Sequence, residues 1–515
     1  MCAIAYQGVS SKGGTCSAGS LWAHCAGSQV MKQYKNFIDG QWVPAESGDT
    51  FTNSNPADTR EEVAEYAKGG KADAKAAIDA AQVAFPGWRA TTAPARGKIL
   101  SAVANIIAGR QAELAELLCR EEGKTKVESG MEVGRTVDIF RFMAGLSYTI
   151  GGSVVPHDLP NNMLFTKREP LGVVALITPW NFPIALPAWK LAPALVSGNT
   201  VVMKPASMAP ALTLEIAKAF EEAGLPKGVL NVVVGSGKEV GDEFATNPTV
   251  KALSFTGSHE VGQGIYQQLA PRMARAQMEM GGKNPTIVLA DADLDYAAKL
   301  VAMAGYMMTG QVCTATSRAI VDEKVADEFT EKLVAEAKAR NVGNGMQDGV
   351  TMGPAVCASE LEGNLDYVKI AQEEGAELCW GGERLGEGDL EHGHFMSPAV
   401  IGNVKNDMRI AQEEVFGPVV GVVKSGGFDE AIALANDVEY GLSASIITRD
   451  INKAMRYTDQ IEAGVVKINQ ISTGLALQVP FGGVKHSSSN NFKEQGQSAI
   501  DFYTQVKSVY LDYSA

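Results

Sequence analysis

A chain of 515 residues exceeds what one ordinary hydrophobic core supports, so about two or three packed units are expected. With 45% hydrophobic and 20% charged residues the composition is globular, which excludes a fibrous or disordered chain. A net charge of −14 offers no basic face for nucleic acid or an anionic membrane, and the longest apolar runs, such as Val173–Ile177, are strand-sized rather than membrane-spanning.

Residues 1–30 are rich in Gly, Ser and Cys and lack the apolar stretch of a secretory signal, while MKQYKNFIDGQWV from Met31 reads as a natural start. Residues 1–30 are therefore expected to be a disordered extension. From Lys71 to Leu118 small and apolar residues recur at helical spacing, with Pro86 and Gly87 expected to divide the helices. Residues 151–170 alternate polar and apolar positions, and SVYLDY near the C-terminus has the look of an edge strand. Segments 151–170 and 496–515 are expected to form a β arm between the subunits of a homodimer or homotetramer.

Between these segments, the β-branched runs VVALITPW, NTVVMKPA, VLNVVVG and ALSFTG alternate with helix-like stretches such as ALTLEIAKAFEEAG. That pattern implies βαβ units on a parallel sheet covered on both faces, with ligands at the carboxyl ends of the strands. A second α/β pattern runs from TIVLADADLD to GVVKIN. The expected division is a cofactor-binding domain from 31–150 and 171–281, and a catalytic domain over 282–478. Seven cysteines without a C-x-x-C pair give neither a disulfide framework nor a metal site, and a reducing cytoplasm is the expected compartment.

An unaided cysteine is most often a small buried hydrophobe. Cys313, however, follows TGQV in a Gly-containing turn, where backbone amides can face the sulfur. Glu279 stands before the Gly281–Gly282 pair, either as a mobile general base or as a solvated surface glutamate. Asn181, between two prolines beyond a strand end, reads equally as an oxyanion donor or an ordinary turn asparagine. Lys204 ends a strand and can meet a ribose or simply water. Gly235-Ser-Gly237-Lys-Glu-Val-Gly241 misses the dinucleotide fingerprint by one residue, and FTGSHEVG is weaker still.

Seven segments, TPWNFP, KPAS, FTGS, EMGGKNP, GQVCTATSR, EEVFGPV and PFGGVK, occur in an order and at separations that resemble the aldehyde dehydrogenase superfamily, over the chain from Met31 to Tyr513. The resemblance implies a Rossmann-like cofactor domain, an α/β catalytic domain and a small β oligomerisation arm. It implies Cys313 as nucleophile, Glu279 as base and Asn181 as oxyanion donor, with NADP or NAD as cofactor. Lys204 and Glu414 would bind ribose hydroxyls, Phe416 would pack beside the nicotinamide, and Gly257 and Ser258 would approach the phosphates. Ile177, Trp180, Gly237, Gly241, Thr256 and Val261 would complete the cofactor cleft. Phe182 and Trp189, with the loop 470–478, would line the path of a small-molecule aldehyde.

Many NAD-preferring relatives carry glutamate three residues after the ribose-binding lysine. Here Ser207 removes that repulsion, so NADP is expected to be accepted. The segment KHSSSNNFKEQG departs from the usual Lys-x-Ser-Gly pattern, and is expected to touch no catalytic role. Within the family the motifs look most like 2-oxoglutarate-semialdehyde (2,5-dioxopentanoate) dehydrogenases. Succinate semialdehyde and glycolaldehyde are alternative substrates, and a CoA-acylating or non-catalytic relative is a further alternative that the retained Glu279 and Cys313 disfavour.

Overall fold

Alternating residues of the β-branched runs point to opposite faces, and this period of two organises the molecule. In the computed structural model, which describes residues 31–514, Val174, Leu176, Val201 and Met203 enter one apolar core, while Val173, Ala175, Ile177 and Val202 enter another on the opposite face. The expectation for residues 1–30, with Cys2, Cys16 and Cys25, lies outside the described residues.

The first sheet runs Arg275–Glu279, Val250–Thr256, Val173–Ile177, Thr200–Lys204, Leu230–Val232, then the hairpin Asn36–Ile38 and Gln41–Val43. Its first five strands are parallel and the hairpin joins antiparallel at one edge. The second sheet runs Glu377–Trp380, Ala399–Val404, Val419–Ser425, Arg318–Asp322, Pro285–Val288, Ser443–Ile447 and Val465–Ile468, parallel except for the Glu377 edge strand. It too has a core on each face, Ile287, Ile320 and Ile446 entering one and Val288, Val321 and Ile447 the other. The chain passes from the first sheet to the second between Glu279 and Pro285, across Gly281–Gly282.

Two expectations need correction. The helix Lys71–Ala90 runs through Pro86 and Gly87, and the break comes instead at Thr91 and Thr92. Packing of Ala74, Ala77, Ile78 and Ala81 against the sheet outweighs the lost proline donor. The arm is also shorter than 496–515: Gly496–Tyr503 is a helix whose Ala499, Ile500, Phe502 and Tyr503 join the first core. Only Thr504–Asp512 pairs with Asn162–Pro170, antiparallel along its whole length, with Val154–Val155 as the third strand. A further three-stranded sheet, Lys32–Tyr34, Thr50–Asn55 and Asp58–Ala67, was not legible in the sequence pattern. No helix among the described residues is long and apolar enough to cross a membrane.

Candidate active site

Cys313 sits between the helix Leu294–Tyr306 and the strand Arg318–Asp322, after three successive left-handed residues, Met308 (φ 49°), Thr309 (φ 59°) and Gly310 (φ 69°). Such a conformation costs non-glycine residues on the order of 1–3 kcal/mol each and persists only when the surroundings impose it. Here they do. Met308 N–H donates to Glu128 Oε1 at 2.6 Å, Thr309 Oγ1 donates to the Gly353 carbonyl at 3.0 Å, and Gln311 Oε1 accepts from Val356 N–H at 2.9 Å. Gly310 lies against Gly417, and a Cβ there would stand 2.3 Å from the Gly417 carbonyl oxygen. On the far side, Asn284 Nδ2 holds the carbonyls of Cys313 and Ala315 at 2.8 and 2.9 Å. The motifs EMGGKNP and EEVFGPV thus fix the backbone of GQVC.

Asn181 is buried, and its Nδ2 donates to the Gln311 carbonyl at 2.9 Å, two residues before Cys313. Its own backbone carbonyl accepts from Lys124, whose ammonium also pairs with Glu132 at 2.6 Å and lies 4.4 Å from the Phe182 ring centroid. Glu279 ends its strand in full burial. Gly483 N–H donates to its Oε2 at 3.1 Å, while Oε1 has no partner among the described residues. Burial and the nearby Glu494 carboxylate hold Glu279 well above the usual carboxylate range. Glu494 is in turn hydrogen-bonded to the buried Lys190, which donates to Ser254 Oγ at 2.7 Å. The Cys313 thiol opens partly onto the cavity, and burial, with Glu414, Glu279 and Glu494 around it, pushes its pKa up to about 12.

These three residues share one cavity of about 1470 Å³. Every other residue expected at the site lines it, namely Ile177, Trp180, Lys204, Gly237, Gly241, Thr256, Gly257, Ser258, Val261, Glu414, Phe416, Phe182 and Trp189, except Ser207. Ser207 stands behind the wall, its hydroxyl donating to the Gly235 carbonyl at 3.2 Å, the same oxygen that Lys204 Nζ reaches at 3.2 Å. Ile177, Lys204, Thr256 and Glu279 are the last residues of four neighbouring parallel strands, where α/β sheets bind ligands.

The strand-end region fits a dinucleotide. Lys204 has only carbonyl partners, and burial pushes its pKa down to about 8. Among the described residues Thr256 Oγ1 is buried without a partner, a Cβ at Gly237 would meet nothing within 4 Å, and one at Gly241 would meet only Ile177 Cδ1 at 3.9 Å. Glu414, pushed up to about 7 by burial, accepts the Gly282 N–H at 2.9 Å. Phe416, at φ 60°, sets its ring edge-on to Trp180 with centroids 5.4 Å apart. Phe182, Trp189 and Thr473, Gly474 and Leu475 from the expected loop also line the cavity.

The KHSSSNN segment lies closer to this machinery than expected. Ser487 accepts the Met280 N–H at 2.9 Å and Ser489 N–H donates to the Met278 carbonyl at 3.2 Å, so the segment brackets Glu279 on both sides. Lys124, Glu132, Lys190 and Glu494 were also missed. Nothing in EEGKTK or FKEQG distinguishes a buried charge from a solvated one.

The family model described as the aldehyde dehydrogenase family matches residues 42–509. The chain is 52% identical to alpha-ketoglutarate semialdehyde dehydrogenase of Haloferax volcanii, over 93% of this chain and 99% of that one. It is 45% identical to alpha-ketoglutaric semialdehyde dehydrogenase of Bacillus subtilis, over 93% and 98%. Among solved structures, betaine aldehyde dehydrogenase of Staphylococcus aureus in complex with NAD+ superposes with a TM-score of 0.91 at 37% identity, covering 94% of this chain and 95% of that one. The chain belongs to the aldehyde dehydrogenase family.

Proposed function

We propose that this chain oxidises a small acidic aldehyde, 2-oxoglutarate semialdehyde, to the carboxylic acid through a thioester on Cys313. The observation that carries the reading is that Cys313, Asn181 and Glu279 open onto one cavity that is also lined by the neighbouring strand ends Ile177, Lys204 and Thr256. The relatives at 52% and 45% identity support the substrate.

Lys204, Glu414, Gly257 and Ser258 are the groups that would hold NAD or NADP. When bound, the cofactor supplies the hydride-accepting ring and a positive charge that favours the thiolate. The Cys313 sulfur adds to the aldehyde carbon, and the Asn181 side-chain amide with the Cys313 backbone N–H receives the oxyanion. After hydride departure the acyl group remains on sulfur. Glu279 Oε1, buried and unpartnered, is free to take a proton from the water that hydrolyses the thioester. Burial beside Glu494 raises its affinity for that proton above that of an ordinary carboxylate. Retention of this base supports water, rather than CoA, as acyl acceptor. The hydroxyl of Ser207 behind Lys204 leaves no carboxylate to repel a 2′-phosphate, so NADP is used alongside NAD.

Val506, Tyr510 and Leu511 are exposed on the arm strand Thr504–Asp512, in keeping with a homodimer or homotetramer joined through this sheet. The test of function is kcat/KM for 2-oxoglutarate semialdehyde, succinate semialdehyde and glycolaldehyde with each cofactor, alongside Cys313→Ser. The reading predicts 2-oxoglutarate semialdehyde ranked first and no cofactor reduction by Cys313→Ser. Preference for glycolaldehyde, or turnover by the serine variant, would overturn it.

A further inference from the structure

The helix Lys126–Leu146 presents Val127, Gly130, Met131, Gly134, Arg135 and Asp138 to the cavity, at the three- and four-residue spacing of one helical face. Two glycines inside a helix weaken it, yet a Cβ at Gly130 would point into open space. The wall is therefore low by composition, leaving room for a ligand beside Arg135.

Arg135 is the unusual group on this face. It is half-buried, and one guanidinium nitrogen donates to the Leu475 carbonyl at 2.7 Å. It forms no ion pair among the described residues, although cations withdrawn from water normally have one. The contrast with its neighbours is sharp. Lys124 and Lys190 each hold a buried carboxylate, and Glu132 on the same helix is already taken by Lys124. Of the other cations lining the cavity, Lys204 and Lys238 stand at the strand-end cradle and Lys126 is exposed.

The loop that Arg135 grips leads directly to the nucleophile. Ser472 Oγ donates to the carbonyl of Thr314, the residue after Cys313, at 2.7 Å. Leu475 follows three residues later, at most roughly 10 Å of extended chain. Thr473, Gly474 and Leu475 all face the cavity. The guanidinium is thus tied through one short loop to the backbone next to Cys313.

We infer that Arg135 binds the carboxylate of the substrate at the end remote from the aldehyde, and so makes this an enzyme for anionic aldehydes. The inference rests on the reading of the site as an aldehyde dehydrogenase. Its chemistry is a charge-assisted hydrogen bond to a carboxylate, from a planar group that lines the cavity and has donors beyond the one given to Leu475. The loop carbonyl fixes one edge of that plane and leaves the rest to the ligand. Asp138, also on the wall, is exposed and three residues away, where it limits but does not neutralise the attraction.

The test compares an anionic with a neutral aldehyde. In Arg135→Met and Arg135→Gln, kcat/KM for 2-oxoglutarate semialdehyde falls about 10- to 100-fold through KM, while that for propanal changes less than about threefold. Glutamine keeps a donor for the Leu475 carbonyl without the charge, so it separates anion binding from loop clamping. If Arg135→Gln retains wild-type activity on the anionic aldehyde, or if both variants lose the two substrates equally, Arg135 is only a clamp and the inference fails. If the wild type itself shows no preference for the anionic aldehyde, it is the substrate assignment that falls. Circular dichroism and thermal unfolding report folding in every variant.

Discussion

Replacing Lys124 by methionine isolates the contribution of a buried charge to the catalytic geometry. The ammonium is 1% exposed and faces Glu132 at 2.6 Å and Glu122 at 3.6 Å, which are 1% and 0% exposed. Burial opposes its charge, but the two carboxylates outweigh it and hold its pKa above the ordinary value. Methionine fills the volume and leaves the buried Glu132 without its ammonium partner, a loss that in comparable buried pairs is about 3–5 kcal/mol. The Asn181 carbonyl simultaneously loses a donor, so its side-chain amide is less firmly directed at the turn before Cys313. Urea unfolding followed by tryptophan fluorescence should show that destabilisation, and kcat/KM should fall about 10- to 100-fold. Adding Glu132→Gln to Lys124→Met should recover part of the stability. A glutamine oxygen still accepts from the Ile184 and Ala185 N–H groups, each at 3.2 Å. Destabilisation under about 1 kcal/mol for Lys124→Met, or no recovery in the double variant, would refute the reasoning.

Other consequences follow from the same geometry. With the Cys313 thiol near 12, only about one in 10⁵ molecules carries the thiolate at pH 7, so alkylation of this residue by iodoacetamide should quicken about tenfold per pH unit from 7 to 10. A plateau below pH 9, read by peptide mass spectrometry, would contradict that environment. Gly310→Ala places a methyl 2.3 Å from the Gly417 carbonyl oxygen at a left-handed position, and should cost about 1–3 kcal/mol with loss of most activity. Unchanged turnover would show that the turn tolerates rearrangement. Ser207→Glu should raise KM for NADP at least about tenfold more than that for NAD, because the carboxylate meets the 2′-phosphate only in the former. Equal effects on both cofactors would remove Ser207 from cofactor selection.

The legible part of this protein was the part written in local pattern. The β-branched runs ending at Ile177, Lys204 and Thr256 gave a parallel sheet because burial on both faces demands continuous apolar strands. Alternation over residues 151–170 marked the strand Asn162–Pro170. Cys313 stood out through its turn and its family motif. The illegible part depended on tertiary context. Lys124 follows a Glu-Glu-Gly run that looks solvated, and only packing reveals that both glutamates are buried. Arg135 reads as an outward-facing helix charge until the loop carrying Leu475 is seen against it. Pro86 reads as a helix end, yet the surrounding alanines pack well enough to carry the helix past it.

The central claim concerns the bond formed on Cys313, and Glu279→Gln is the variant that makes it visible. The variant keeps the cavity's shape while removing the group assigned to the hydrolytic water. Mixed with 2-oxoglutarate semialdehyde and NAD or NADP, then acid-quenched, it should give a burst of about one equivalent of reduced cofactor per site. Peptide mass spectrometry should place the substrate's acyl group on Cys313. Steady turnover at the wild-type rate with Cys313 unmodified, or an adduct on another residue, would contradict the account.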